Sequence, residues 1–295
     1  MAILAFDIGG TAVKYGVWVN ESLVGQDKFR TPKTWIEMKD KLVGIKQFVE
    51  RVYELEGVAF SAPGAVNQQG RQIEGMSAVR YLHFFPIYDE LEAAFGLPVS
   101  FENDANCAAL AEVWKGAARY NSNVLFVVIG TGIGGAVIID KKVQQGQHLS
   151  AGEFGYMLLG EDKIFSSVGT AVGVARRYAE RNGLDPEEVD GKEVFERATA
   201  GDTVALEEVN TFFKYLTIGL HNLAYAFDPE KIILGGGVSS MEGLVERLEV
   251  EYEKQFGGHE FSIFTPVIDT CDFKNDANLI GAVYNYLQRI EQKDA

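Results

Sequence analysis

Cysteine is almost absent from this 295-residue chain: Cys107 and Cys271 are the only two, far apart and in no paired spacing. That excludes a disulfide framework and a cysteine-rich zinc site, and leaves both thiols as expected core residues. Basic charge is also scarce, with 27 Lys and Arg against 42 Asp and Glu and a formal net charge of −15. Such a balance opposes binding to a polyanionic duplex, so nucleic acid is not an expected partner. No apolar run reaches the length of a membrane span, and Met1 leads almost at once into a strand, without a charged segment and cleavage site. A cytoplasmic protein with no membrane partner is expected. His83, His148, His221 and His259 have no metal-ligand spacing and are assigned no catalysis. Also missing are the Walker run Gly-x-x-x-x-Gly-Lys-Ser/Thr and any low-complexity segment.

What is present is a repeated turn. The strand-like Ile3-Leu4-Ala5-Phe6 runs into Asp7-Ile8-Gly9-Gly10-Thr11, and Leu125-Phe126-Val127-Val128 runs into Ile129-Gly130-Thr131-Gly132-Ile133-Gly134-Gly135. Glycines without Cβ let backbone N–H groups converge on an anion, and the threonine hydroxyl adds a neutral donor. Each turn is followed by another apolar stretch, at 13–19 and 136–139, which predicts a hairpin rather than the helix that a P-loop or dinucleotide fingerprint requires. The pair therefore reads as a duplicated phosphate grip.

At 47% hydrophobic content the chain can bury a full core, and its length suggests two domains. The first 30 or so residues read as three β segments, and apolar periodicity predicts a helix over 35–55. A strand at 57–61 ends in the breaker cluster Ala62-Pro63-Gly64-Ala65, and a long loop with several aromatics follows at 67–86. A short strand at 99–101 then meets Glu102-Asn103-Asp104 before a helix at 105–115, with Asp104 well placed as its N-cap. The polar stretch 116–122 marks the domain boundary. An N-terminal α/β lobe of 1–115 is expected, with the last helix (276–295) packing back onto it. A C-terminal α/β lobe of 116–275 follows. The second half reads as two strands, a loop, a helix at 170–182, an apolar helix at 206–227 and a buried strand at 231–234 leading into Gly235-Gly236-Gly237.

Several residues can carry chemistry. Beyond capping, the Asp104 carboxylate can take the proton of a hydroxyl that attacks a phosphoryl group, while the Asn103 amide suits vicinal sugar hydroxyls. Asp7 ends an otherwise apolar strand, where an unpaired carboxylate is expensive to bury, so it is expected to face metal, water or phosphate. Lys14 either approaches the phosphates or is a solvated edge lysine. Glu153, flanked by glycines in a non-periodic loop, is either functional or a solvated carboxylate. Asp276, with Asn275 and Asn278, reads as a structural cap of the last helix.

Asp7-Ile8-Gly9-Gly10-Thr11, Pro63-Gly64, Glu102-Asn103-Asp104-Ala105-Asn106, Ile129 to Gly135, Gly152-Glu153-Phe154-Gly155 and Gly235-Gly236-Gly237 together resemble the ROK family (repressor, open reading frame, kinase). The resemblance covers nearly the whole chain. It implies the actin-like, hexokinase-like ATPase fold, with two α/β lobes around a central cleft and MgATP as phosphoryl donor, the Mg²⁺ near Asp7. By position it makes Asp104 the general base on the sugar hydroxyl, and Gly64, Asn103 and Glu153 holders of the sugar. Gly9, Gly10, Thr11, Thr131 and Gly132 would hold phosphates, and Gly235, Gly236 and Gly237 would lie along the adenosine.

Zinc-bearing members follow the glutamate with Gly-His, a cysteine cluster and a second sugar-binding glutamate. Here Tyr156 stands at the histidine position, Ile164 stands at or near the second glutamate, and the segment Glu161-Asp162-Lys163-Ile164-Phe165 carries no cysteine, so no zinc is expected. With Asp7 so close to Met1, the helix-turn-helix of the repressor branch is not expected. The resemblance is greatest to the zinc-less β-glucoside kinase branch: a carbohydrate kinase acting on a hexose or β-glucoside, at the 6-hydroxyl, with Tyr156 among the substrate-binding residues. Glucokinase, fructokinase and N-acetylmannosamine kinase remain open. The rivals from other classes are a non-catalytic sugar sensor, which would need neither the base nor both phosphate turns, and an actin-like or chaperone ATPase. Sugar and ATP are the expected partners. The oligomeric state, a homodimer included, is left open.

Overall fold

The structure is a computed structural model that describes residues 2–260, 262–273 and 276–294. The chain divides into two compact units, Met1–Arg119 with Gln145–Ser150 and Phe273–Ala295, and Tyr120–Gln144 with Ala151–Asp272. The elements open with β1 (Ala2–Ile8), β2 (Ala12–Val19), β3 (Ser22–Arg30), α1 (Trp35–Val49) and β4 (Leu55–Ala62). Then come β5 (Ala65–Asn67), β6 (Gln72–Glu74), α2 (Ile87–Phe95), β7 (Val99–Asn103) and α3 (Asp104–Lys115). The second unit adds β8 (Val124–Ile129), β9 (Ile133–Ile139), β10 (Lys142–Val143), α4 (Phe165–Val168), α5 (Ala171–Asn182), α6 (Gly191–Thr199) and α7 (Thr203–Phe227). It closes with β11 (Lys231–Gly235), α8 (Leu244–Phe256) and β12 (Ile268–Thr270), after which α9 (Ala277–Asp294) belongs to the first unit.

Each unit is built on one five-stranded sheet, β3-β2-β1-β4-β7 in the first and β10-β9-β8-β11-β12 in the second. In both, the strand before the glycine turn pairs antiparallel with the strand after it and parallel with the next strand in the sheet. The two predicted hairpins are thus present, and the likeness of the turns extends to strand order and direction.

All seven residues of β1 are buried because helices cover both sheet faces, the condition under which a strand reads as an unbroken apolar run. Leu4, Phe6 and Ile8 pack with Met38 and Leu42 of α1 and Leu91 and Phe95 of α2. Ile3 and Ala5 pack on the other face with Cys107 and Ala111 of α3 and Leu279 and Val283 of α9. The two-residue period of a strand then assigns Asp7 to this second face. In the second unit Leu125, Val127 and Ile129 of β8 pack with Phe212, Leu216 and Leu220 of α7.

The helix expected over 35–55 is shorter. It ends at Val49, where the N–H groups of Val52 and Tyr53 both turn back to the Val49 carbonyl, and Leu55 is drawn into the sheet opposite Ala2. The periodicity past 49 belongs to a turn and a strand. The long loop at 67–86 carries β6 and a 3₁₀ turn at Arg80–Leu82. Cys107 is fully buried as expected, but Cys271 is only partly so, with its Sγ 3.6 Å from Ser239 Oγ. Among the described residues no helix is long and apolar enough to cross a membrane.

Candidate active site

In the first unit the parallel strands β1, β4 and β7 end level with one another. Asp7 lies opposite Ser61, Ser61 opposite Glu102, and Ala62 opposite Asn103. The carboxyl ends of parallel strands are where open α/β sheets bind ligands. Asp7 is buried, and its carboxylate is paired. Ser61 Oγ donates to its Oδ1 at 2.8 Å, Asn278 Nδ2 donates to the same oxygen at 3.0 Å, and Lys14 Nζ stands 3.8 Å from Oδ2. Lys14 is the register partner of Asp7 on β2, so its amine is directed at that carboxylate. Asn278, read as a neighbour of a helix cap, instead holds Asp7 from α9. The Asp276 carboxylate accepts from Gln26 Nε2 at 3.4 Å, and Asn275 lies outside the described residues.

Gly10 and Thr11 are exposed in the β1–β2 turn. Gly9 N–H closes the turn onto the Ala12 carbonyl at 3.0 Å, and Thr31 pins it from β3's end, its hydroxyl donating to the Gly9 carbonyl at 2.6 Å and its N–H to the Thr11 carbonyl at 3.0 Å. Nothing local in the sequence marks Thr31 for this role.

The N-cap of α3 is Asn103, not Asp104. Asn103 Oδ1 accepts from the N–H groups of Ala105 and Asn106, while its Nδ2 donates to the Gly64 carbonyl at 3.1 Å. One amide therefore ties the helix start to the Pro63-Gly64 turn, where Gly64 adopts φ +103 and a Cβ would stand 2.7 Å from His83 Cε1. Because Asn103 takes the cap, Asp104 begins the first turn with its Oδ1 accepting from Ala105 N–H at 2.8 Å. Burial pushes the Asp104 carboxyl up from the ordinary aspartate value, and the nearby Asp7 charge adds to the rise against the lowering hydrogen bond from Ala105.

Glu102, which sequence reasoning did not single out, is the most enclosed carboxylate here at 1% exposure. It accepts from Gln68 Nε2 at 2.8 Å, Asn103 N–H at 2.9 Å, Asn106 Nδ2 at 2.9 Å and Gln145 Nε2 at 3.3 Å. Burial raises its pKa, and the Asn106 and Asn103 donors oppose that rise. Its carboxylate joins three chain segments directly beneath Asn103 and Asp104. Glu102→Gln puts an NH₂ among these donors, so the variant is expected to lose about 1–3 kcal/mol of stability from unsatisfied buried groups. The same change loosens the Asn103-Asp104 junction, and kcat is expected to fall roughly tenfold, as expected when supporting hydrogen bonds around a reactive group are lost. Chemical denaturation and steady-state kinetics check the two effects separately.

In the second unit Thr131 and Gly132 are exposed at the β8–β9 turn, closed by Gly130 N–H on the Gly132 carbonyl at 2.9 Å. Ser166 Oγ on α4 accepts from Ile133 N–H at 2.9 Å and steadies the turn from outside. Gly235 is buried at the end of β11, and Gly236 follows with φ +83, so close to β8 that a Cβ would stand 2.4 Å from the Ile129 carbonyl oxygen. The third glycine run and the second glycine-threonine turn therefore share one place. Beside them opens a cleft of about 960 Å³ whose walls include Ile129, Gly130, Gly237, Val238, Phe195 and Arg247. Glu153 is exposed, immediately before the 3₁₀ turn Phe154–Tyr156. Tyr156 is 80% exposed, and Ile164 bridges to Leu158 and is 43% exposed. The first unit thus gathers Asp7, Lys14, Gly9 to Thr11, Gly64, Asn103 and Asp104, and the second gathers Thr131, Gly132 and Gly235 to Gly237, with Glu153 and Tyr156 on their own loop.

Two sheets of one topology, each with a glycine-threonine turn after its central strand, define the actin-like, hexokinase-like class of ATPase fold. Residues 3–289 match the ROK family, and the chain belongs to that family. It is 38% identical to a β-glucoside kinase of Klebsiella pneumoniae over 304 residues, covering 100% of this chain and 99% of the relative. A ROK family protein from Streptococcus pneumoniae TIGR4, solved in complex with sucrose, superposes with a TM-score of 0.89 at 34% identity, over 99% of this chain and 100% of that one. A ROK family glucokinase from Streptomyces griseus, in complex with glucose and AMPPNP, superposes with a TM-score of 0.74 at 27% identity, over 96% of this chain and 98% of that one.

Proposed function

We infer that this protein is an ATP-dependent sugar kinase that transfers the γ-phosphoryl group to the 6-hydroxyl of a β-glucoside or hexose, with Asp104 as general base. The observation that carries the reading is the junction of β7 and α3, where Asn103 takes the cap and leaves Asp104, a carboxyl of raised pKa, within the influence of the Asp7 charge. A base of raised pKa accepts the proton of the attacking hydroxyl more readily than an ordinary aspartate. Gly64 and Asn103, joined by a hydrogen bond, are proposed to orient the sugar together with Glu153 and Tyr156.

The nucleotide reading rests on the second unit. The exposed turn at Thr131 and Gly132 and the run Gly235 to Gly237 stand beside a cleft that Gly130 and Gly237 line, a Cβ at Gly237 would meet open space, and the cleft has the volume for an adenosine. Thr131 and Gly132, with Gly9, Gly10 and Thr11 of the first unit, are proposed to hold phosphates, with Gly235 to Gly237 along the adenosine. Mg²⁺ carried on the phosphates would neutralise charge in the transfer. Its one proposed protein neighbour is Asp7, in keeping with a cation that is commonly held by a single carboxylate and phosphates. Lys14 is proposed to hold Asp7 in place. Zinc is not part of this reading, and neither is a nucleic-acid or membrane partner. The two lobes are proposed to be 1–115 with the last helix and 116–275, in a cytoplasmic protein.

The specific substrate class is drawn from the Klebsiella pneumoniae relative and from the residues at the anomeric end. A site built to hydrogen-bond a sugar hydroxyl rejects ligands that lack it, and Tyr156 and Ile164 make fewer such demands on C1 than a histidine and a glutamate would. In a coupled assay of ADP formation, cellobiose or another β-glucoside is therefore expected to give kcat/KM at least comparable to glucose. Activity on glucose or N-acetylmannosamine with none on any β-glucoside would contradict the substrate assignment.

A further inference from the structure

Phe84 is held at φ +60, in the left-handed region where a bulky aromatic is an outlier. Its ring is 66% exposed and belongs to no core cluster among the described residues. Strain of this kind persists only where surrounding structure enforces it. Here the Phe84 N–H is fixed on the Ile73 carbonyl at 2.9 Å, and its neighbour His83 is held at both ring nitrogens, Nδ1 by the Glu74 carbonyl at 3.2 Å and Nε2 by Ser77 Oγ at 2.7 Å. The His83 ring lies against Gly64, whose carbonyl accepts from Asn103 Nδ2. A continuous line of contacts within the first unit thus runs from Asn103 through Gly64 and His83 to an aromatic that stays largely exposed in its strained position, with the His83 ring 6.1 Å away between centroids. Met76, on the same loop, is 94% exposed.

We propose that Phe84 is the platform for the group carried on C1 of the sugar, an aryl or second-sugar aglycone that lies against the ring face. The proposal deepens the β-glucoside reading above and rests on it. Rings pack well on aromatic faces, and an aglycone supplies the burial that the ring lacks in the free protein. Glucose has no such group, so the platform acts on the preference between glucoside and glucose rather than on phosphoryl transfer.

The test compares kcat/KM for phenyl β-glucoside and cellobiose with that for glucose in the parent, Phe84→Ala, Phe84→Gly and Phe84→Trp proteins. The glucoside-to-glucose ratio is expected to fall about fivefold or more in Phe84→Ala and Phe84→Gly, through KM rather than kcat, and to be kept in Phe84→Trp. Phe84→Gly removes ring and strain together, so a Tm at or above the parent value alongside a lost ratio separates a ligand platform from a packing role. A ratio unchanged in both truncations, or a loss shared equally by glucose and glucosides, would overturn the proposal while leaving the β-glucoside reading intact. A parent enzyme that phosphorylates glucose and no glucoside would instead refute that reading and the platform with it.

Discussion

Asp104→Asn is expected to lower kcat by roughly 10²–10⁴ while leaving the fold and sugar binding in place, the range typical of a lost general base. The structure sharpens this expectation. Asn103, not Asp104, caps α3, so the substitution removes no cap, and the new amide oxygen can still accept from Ala105 N–H. Thermal unfolding should therefore match the parent while turnover collapses. The pH dependence should carry the same signature. Burial, with the Asp7 charge, raises the Asp104 pKa above its ordinary value of 3.8, and the reaction needs the ionised form. As pH falls through the raised pKa the base is protonated, so kcat/KM should decline with an apparent pKa above 3.8. That acid limb should disappear from the residual activity of Asp104→Asn. Parental turnover in the variant would exclude Asp104 as the base.

Gly236→Ala is the second large effect. The residue combines φ +83 with a position where a Cβ would stand 2.4 Å from the Ile129 carbonyl oxygen, at the strand end that enters the Gly130-Thr131-Gly132 turn. A methyl group there must push β11's end away from β8 and adopt a backbone conformation that only glycine takes comfortably. A stability loss of about 1–3 kcal/mol is expected, and the displaced turn should raise KM for ATP roughly tenfold or more, since small misplacements of positioning groups are costly. The dissociation constant for sugar alone should change little. Isothermal titration with ADP and with sugar separates these effects. Parental ADP affinity together with parental stability would mean that this glycine run has no part in nucleotide binding.

Local features of the fold are legible in the sequence. A strand, a glycine-threonine turn and a second strand follow one another without interruption, at 2–19 and again at 124–139, so both hairpins could be read from composition and period. Asn103 and Asp104 were visible because an amide and a carboxylate at a strand-to-helix junction have few uses. Their division of labour was not visible, since choosing the cap depends on backbone geometry at a single residue: Asn103 at φ −61, ψ 149 is extended, whereas Asp104 is already in the helix. Glu102 was passed over because the groups that make it significant are distant, Gln68 being 34 residues away and Gln145 43. Asn278 shows the same limit, reaching Asp7 across 271 residues of chain. The overlong first helix failed for another reason. Tyr53 and Leu55 continue its apolar period, but sheet pairing of Leu55 with Ala2 outweighs that local pattern.

Phosphoryl transfer from ATP to a sugar hydroxyl leaves a sugar phosphate ester, and the position of that ester identifies the reaction. The protein would be incubated with ATP, Mg²⁺ and cellobiose, and the products resolved by two-dimensional ³¹P–¹H NMR. Stoichiometric ADP and a phosphate monoester coupled to the C6 protons of a glucose ring are expected, formed by the parent and nearly absent with Asp104→Asn. ADP accompanied by free inorganic phosphate, with no sugar ester on cellobiose, on any other β-glucoside or on glucose, would contradict phosphoryl transfer to sugar.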